Sequence, residues 1–251
     1  MIRILLSGCN GKMGNVISRA VLKRDDCKIV AGIDINNEEN DNFAVFDSPE
    51  RVNVEADVII DFSNPKAFES LLSFAIDKKL PVVFCTTGFS KDQVKKIKDS
   101  SKLIPIFYSR NMSLGINLII ELSKRAMNVL GDNFDVEIIE KHHNQKIDAP
   151  SGTALMIADE IAAESKNNLD YVYDRRSYRK SRSKNEIGIH SIRGGTIVGD
   201  HEIIFAGHDE IVKISHSAQS KEVFALGSIN AAIFICKKPA SLYNMSDLLD
   251  E

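Results

Sequence analysis

A chain of 251 residues can bury a full core, as one large domain or two modest ones. With 43% hydrophobic residues, 27% charged residues and a formal net charge of -3, it lacks the charge excess that draws a protein to nucleic acid or an anionic membrane, which leaves a small molecule as the expected partner. Cys9, Cys27, Cys85 and Cys236 are scattered without Cys-x-x-Cys spacing, no signal-peptide layout follows Met1 and no run approaches the roughly 18 apolar residues of a membrane span, so reduced core thiols in a cytoplasmic protein are expected.

Over residues 1–109, "IRILLSG", "KIVAGID", "DVIIDFS", "PVVFCTTG" and "IPIFYS" read as strands with helical stretches between most of them. That rhythm predicts a parallel, doubly wound sheet. Next, "LGINLIIELSKRAMNVL" has helical spacing between Ser113, a candidate cap, and Gly131, a candidate stop. A second unit begins there, with a strand "FDVEIIE", a helix from about Gly152, and three β-like runs, "EIGIHSIRGG", "IVGDHEIIFAG" and "EIVKISHSA". It reads as a mixed α+β sheet. The helical "SKEVFALGSINAAIFICKKP" is long enough to return to the first unit, so the expected division is 1–111 with 222–251, and 112–221. Between residues 171 and 185, "YVYDRRSYRKSRSKN" interleaves basic and aromatic residues. We read it as a solvated loop rather than a nucleic-acid surface, because the rest of the chain is slightly acidic.

The first strand runs into "SGCNGKMG", with Gly8, Gly11 and Gly14 at the strand-to-helix turn, where small residues let N–H groups approach a pyrophosphate. The spacing departs from the dinucleotide fingerprint by placing Asn10, a residue tolerant of left-handed angles, where a second glycine is usual. Asp34 follows about 20 residues past the third glycine, the distance at which a carboxylate meets the adenosine ribose. No arginine follows in "INN" to neutralise a 2'-phosphate, which favours NADH, although Lys12 could admit NADPH. This is a Rossmann-like expectation. Cys85, Thr86 and Thr87, with Ser109, Arg110, Asn111 and Met112, follow later strands at the carboxyl edge, where the nicotinamide side would lie.

"EKHHNQKIDAPSGTALMIADEI" places His142, His143 and Lys146 in a polar insert ahead of Pro150 and a helix start. The N–H groups of Gly152 and Thr153, with the Thr153 hydroxyl, make a carboxylate site, and the imidazoles and Lys146 can hold and protonate an acidic substrate. A metal is not expected, since no third ligand is close and His190, His201, His208 and His216 fall on separate strands or turns.

This run resembles the signature of the 4-hydroxy-tetrahydrodipicolinate (dihydrodipicolinate) reductase family of lysine biosynthesis. The likeness spans nearly the whole chain through "GCNGKMG", "DVIIDFSNP", "TTGF", "NMSLGIN", "IRGGTIVGDHEIIFAG" and "EVFALGSINAA". It implies His142 as proton donor or acceptor, Lys146 as proton-donating lysine, and His143, Gly152 and Thr153 on the carboxylates of a cyclic diacid. It further implies cofactor contacts at Gly8, Cys9, Asn10, Gly11, Lys12, Met13, Asp34, Cys85, Thr86, Thr87, Ser109, Arg110, Asn111 and Met112. A homotetramer built through the second domain's sheets, and hinge closure as ligands bind, are also implied. Cys85 where glycine is common, "FSNP" for Phe-Thr-x-Pro, "HSAQSK" without arginines and "KPASLYNM" without Pro-Gly depart from the pattern. Two rivals are an NADH-sensing DNA-binding regulator, which needs a DNA-reading element no motif here supplies, and a dehydrogenase of an amino acid or sugar, which has no need of His-His-x-x-Lys.

Overall fold

The computed structural model describes every residue except Asn37, Glu39 and Tyr178, and only the main chain of Asp132. The last asparagine of "INN" and one aromatic of the basic segment thus lie outside the described residues. In chain order the elements are β1 (Ile2–Ser7), α1 (Lys12–Val21), β2 (Cys27–Ile33), β3 (Ala44–Phe46), β4 (Val58–Asp61), α2 (Phe68–Lys78), β5 (Val82–Phe84), α3 (Lys91–Ser100) and β6 (Ile106–Tyr108). There follow α4 (Leu114–Leu130), β7 (Asp135–His142), α5 (Gly152–Glu164), β8 (Asp170–Val172), β9 (Glu186–Arg193), β10 (Gly199–Ala206), β11 (Ile211–Ala218), α6 (Glu222–Ile235), β12 (Leu242–Tyr243) and α7 (Met245–Leu249). Two compact units result, Met1–Leu114 with Lys221–Glu251, and Gly115–Ser220.

In the first unit seven strands, all parallel, lie in the order β12-β6-β5-β4-β1-β2-β3. Alternate side chains point to opposite faces. Ile4, Leu6, Val58, Ile60, Val83 and Phe107 therefore join one core with residues of α1 and α6, while Leu5, Ile59, Val82, Phe84 and Ile106 join another with residues of α2 and α3. Both faces are covered, so the strands read as continuous apolar runs rather than alternating ones. Each fully buried Leu, Ile or Phe contributes about 1.5–3 kcal/mol. Strand order reverses at β1, leaving the β1–β4 switch point at the carboxyl edge. The short strands β3 and β12 escaped the sequence reading, since two or three residues carry no period.

The second unit holds a mixed sheet, β11-β10-β7-β9-β8, with β7–β9 and β8–β9 parallel and the other pairs antiparallel. One face packs on α4 and α5 through Val136, Ile138, Ile203, Phe205, Ile119 and Ile157. Two expectations are corrected. Residues 170–172, at the start of the basic segment, form the edge strand β8 rather than loop. His142 is the last residue of β7, not part of a polar insert, and so shares that strand's alternation. No helix among the described residues is long and apolar enough to cross a membrane.

Candidate active site

In the first unit the turn between β1 and α1 is shaped by close main-chain approach. Gly8 has φ +78°, and a Cβ there would lie 2.6 Å from the Phe62 carbonyl oxygen; at Gly14 it would lie 2.3 Å from two carbonyl oxygens, those of Gly8 and Cys9. Helix α1 has Gly11 as N-cap, no side-chain cap and no acidic residue in its first turn, so its first N–H groups and positive dipole end can receive an anion. These features fit a dinucleotide pyrophosphate. Asn10 is not left-handed, contrary to the rationale offered for it. Its side chain donates to the Asn36 and Glu38 carbonyls at 2.6 and 3.1 Å, and its N–H donates to Asp34 Oδ2 at 3.0 Å. The Asp34 carboxylate is thereby tied to the glycine turn. Lys12 is exposed and Met13 half-buried, while burial of Cys9 pushes its thiol up to about 11.

A residue not singled out from the sequence organises the adjoining edge. Asp61, the last residue of β4, is buried and accepts the Thr86 hydroxyl at 2.7 Å, the Ser63 hydroxyl at 2.6 Å and the Ser63 N–H at 3.2 Å. Burial pushes its carboxyl up, against the pull of these hydrogen bonds. An acid closing the otherwise apolar "VIID" was the available signal. Cys85 and Thr86 are buried, Thr87 and Arg110 are exposed, and Ser109 donates its hydroxyl to the Asn111 carbonyl at 2.8 Å. The Met112 side chain belongs to the core, so what Met112 can offer a ligand is its main chain.

In the second unit the buried face of β7 changes character along its length. Val136 and Ile138 join the core, whereas Glu140 and His142 continue the same face as buried polar groups. Strand register sets Ser191 and Arg193 of β9 beside Glu140 and His142, and His201 of β10 beside Glu140. Glu140 Oε2 lies 2.6 Å from His142 Nδ1, and Arg193 donates to both carboxylate oxygens, at 2.8 and 2.7 Å. The Ser151 N–H donates to Glu140 Oε1 at 3.2 Å, so one carboxylate joins His142 to the start of α5. Burial alone would raise the Glu140 carboxyl; hydrogen bonds from Arg193, Ser191 and His142 outweigh it and hold it at about 2. Burial lowers His142, against the attraction of Glu140, and nearby Lys146 lowers it further.

After β7 the His143 carbonyl accepts the Lys146 N–H at 3.1 Å, closing a turn. Lys146 Nζ meets Asp148 Oδ1 at 2.8 Å and holds that carboxyl below its usual range. The Ala149–Pro150 peptide is cis. Ser151 caps α5, its hydroxyl accepting the Ala154 N–H at 3.1 Å and lying 3.2 Å from His201 Nε2. Burial takes His201 down to about 4. Gly152 and Thr153 open α5, where a Cβ on Gly152 would meet open space, and the Gly152 N–H donates to the Asp148 carboxylate, an acid from outside the helix. A carboxylate fits there.

Within this unit the structure brings together His142, Lys146 and the Gly152–Thr153 helix start, and of the His143 side chain it shows only partial burial. It adds Glu140, Arg193, Ser151 and His201, of which only Glu140 and Ser151 stand near the motif in sequence. The basic segment closes inward. Arg175 pairs with Glu186 and Glu137, and Arg182 with Asp135 and Glu137, beside a cleft of about 530 Å³.

Two family models match the chain, the dihydrodipicolinate reductase N-terminus over residues 2–112 and the C-terminus over residues 115–249. The chain is 51% identical over 250 residues to a 4-hydroxy-tetrahydrodipicolinate reductase of Clostridium tetani, covering 100% of this chain and 98% of that one. It is 50% identical over 249 residues to the protein of the same name from Clostridium novyi, covering 99% and 98%. A dipicolinate-bound dihydrodipicolinate reductase from Paenisporosarcina sp. TG-14 superposes with a TM-score of 0.80 at 26% identity, over 97% of each chain.

Proposed function

The chain belongs to the dihydrodipicolinate reductase family, and from that premise we propose that it reduces 4-hydroxy-tetrahydrodipicolinate to tetrahydrodipicolinate in the diaminopimelate route to lysine. Bound NAD(P)H supplies the hydride. The first unit is assigned the dinucleotide, with the glycine turn and α1 on the pyrophosphate and Asp34 on the adenosine ribose. The second unit is assigned the diacid, with one carboxylate at the Gly152–Thr153 helix start beside His143. Asp34 and the lack of a following arginine support NADH over NADPH, while exposed Lys12 leaves room for the phosphorylated cofactor.

His142, kept neutral by burial, accepts the ring proton released as water is lost and returns it to the ring when hydride arrives. Lys146 provides the proton that leaves with hydroxide and is recharged from solvent. Hydride and one proton are consumed and one water is released. The observation that carries this reading is the single carboxylate of Glu140 holding both His142 Nδ1 and the first N–H of the α5 cap, which puts a proton carrier next to an anion site.

The test is NADH oxidation by the isolated protein with enzymatically generated hydroxytetrahydrodipicolinate, alongside calorimetric titration of both cofactors. Turnover with tighter NADH binding is expected; no turnover, with salt-sensitive DNA retention instead, would sink the reading. A cytoplasmic homotetramer assembled through the second sheet belongs to the same proposal, and sedimentation at working concentration checks the assembly.

A further inference from the structure

Two residues with no role so far in ligand binding are joined by a dense set of polar contacts beside His142. Glu140 is fully buried and has both oxygens occupied. Arg193 donates from Nη1 to Glu140 Oε2 and to the Ile192 carbonyl, each at 2.8 Å, and from Nη2 to Glu140 Oε1 at 2.7 Å and the Asp148 carbonyl at 2.6 Å. One guanidinium therefore grips the partner of His142 and, two residues from Lys146, the loop that carries the amine. A buried ion pair adds little net stability, because desolvation cancels most of its Coulombic gain. Its usefulness lies in fixed geometry.

Resting on the roles given above to His142 and Lys146, we propose that Glu140 and Arg193 are positioning residues for the reduction: Glu140 fixes His142 as the Nδ1–H tautomer with Nε2 bare for proton exchange, and Arg193 locks that carboxylate to the Lys146 loop. An ionised carboxylate only accepts, so the proton in the 2.6 Å contact sits on Nδ1, and the neutral ring keeps an unprotonated Nε2. Space at Nε2 is preserved from another strand, since a Cβ on Gly199 would lie 3.1 Å from it. Four ionisable groups face the imidazole: Glu140 on its own strand, Arg193 from β9, His201 from β10 with ring centroids 5.4 Å apart, and Lys146 from the loop. Glu140 is the anion among them. Its neutralisation must lower the proton affinity of His142.

The experiment records ring ¹⁵N shifts of His142, with pH profiles of kcat and kcat/KM, for wild type, E140Q, R193K and H142A. Wild type should show one tautomer, Nδ1–H. E140Q should mix tautomers, lose on the order of 10²-fold in kcat with KM nearly unchanged, and move its acid limb to lower pH. R193K keeps the carboxylate charge but not the two-pronged grip, so it should keep the tautomer yet lose about tenfold in kcat. A wild-type Nε2–H tautomer overturns the proposal, as do folded variants with wild-type kcat and pH profiles. If E140Q does not fold, the wild-type ring spectrum and R193K decide. Full activity in H142A removes the proton role of His142, whereas an inactive H142A beside a fully active E140Q removes the positioning role alone.

Discussion

The carboxyl edge of the first sheet and the polar end of the second differ in what they offer a ligand. At the first, the groups on offer are the main-chain N–H donors that open α1, and the turn before them is packed to contact: Gly8 against Phe62, Gly14 against Cys9, Gly32 against the Cys9 sulfur. At the second, side chains are presented from a hydrogen-bonded network in which Glu140, Arg193, His201 and Ser151 support one another. A main-chain site recognises shape and spread negative charge and is indifferent to pH. A side-chain site can move protons and is sensitive to it. On the reading proposed above, the division suits a dinucleotide whose pyrophosphate is only held and a diacid that must exchange protons.

The largest effects test whether chemistry is confined to the second unit. Replacing His142 or Lys146 by alanine should cut kcat by roughly 10²–10⁴-fold while NADH affinity, measured calorimetrically, stays at the wild-type value. Equal loss of NADH binding in both variants breaks the comparison. Gly8→Ala is the mirror case, since it adds a Cβ at 2.6 Å from the Phe62 carbonyl oxygen on a residue with φ +78°. NADH affinity should fall at least tenfold, about 1.4 kcal/mol, and a fully folded variant with unchanged affinity would remove the pyrophosphate from this turn.

Acid should act mainly on the second unit, through two groups whose proton affinities folding changes. His201 titrates at 6.5 when unfolded and about 4 when folded, so the unfolded chain binds the extra proton and stability falls as pH drops from 6.5 to 4. Glu140 moves from 4.5 to about 2, and what its ionised form contributes is present above 4.5 and lost as pH falls towards 2. Each shift corresponds to about 3 kcal/mol. Urea unfolding against pH should show two successive losses, and His201→Gln should flatten the one above pH 4 while sparing the lower. An unchanged upper loss in that variant would assign it to other groups.

The contrast also explains which parts were legible in the sequence. The glycine turn is contiguous, and its spacing and neighbouring strands reveal it without any tertiary knowledge; so do the helix start at Ser151 and the His142–Lys146 run. Arg193 and His201 come from distant strands, brought beside Glu140 by the β7–β9 and β7–β10 registers, and local pattern does not encode register. Glu140 lay in plain view within "DVEIIEKHH" as the third member of a buried i, i+2 row, but an acid on an apolar face is recognisable as a partner only once Arg193 is opposite. Edge strands β3, β8 and β12 fell below the length at which periodicity speaks.

The smallest expected effect separates backbone conformation from close approach. Gly131, at the end of α4, has φ +56°, yet a Cβ there would meet nothing within 4 Å. Gly131→Ala therefore incurs only the cost of holding an alanine in the left-handed region, about 1 kcal/mol, and it should leave NADH affinity and kcat untouched. Gly8 combines a similar angle with a main-chain collision. Thermal melts and cofactor titrations of the two variants side by side thus measure how much of the Gly8 requirement is contact rather than conformation. Equal losses in both would mean that the turn needs glycine for its angle alone, and that the packing behind it is slack enough to admit a side chain.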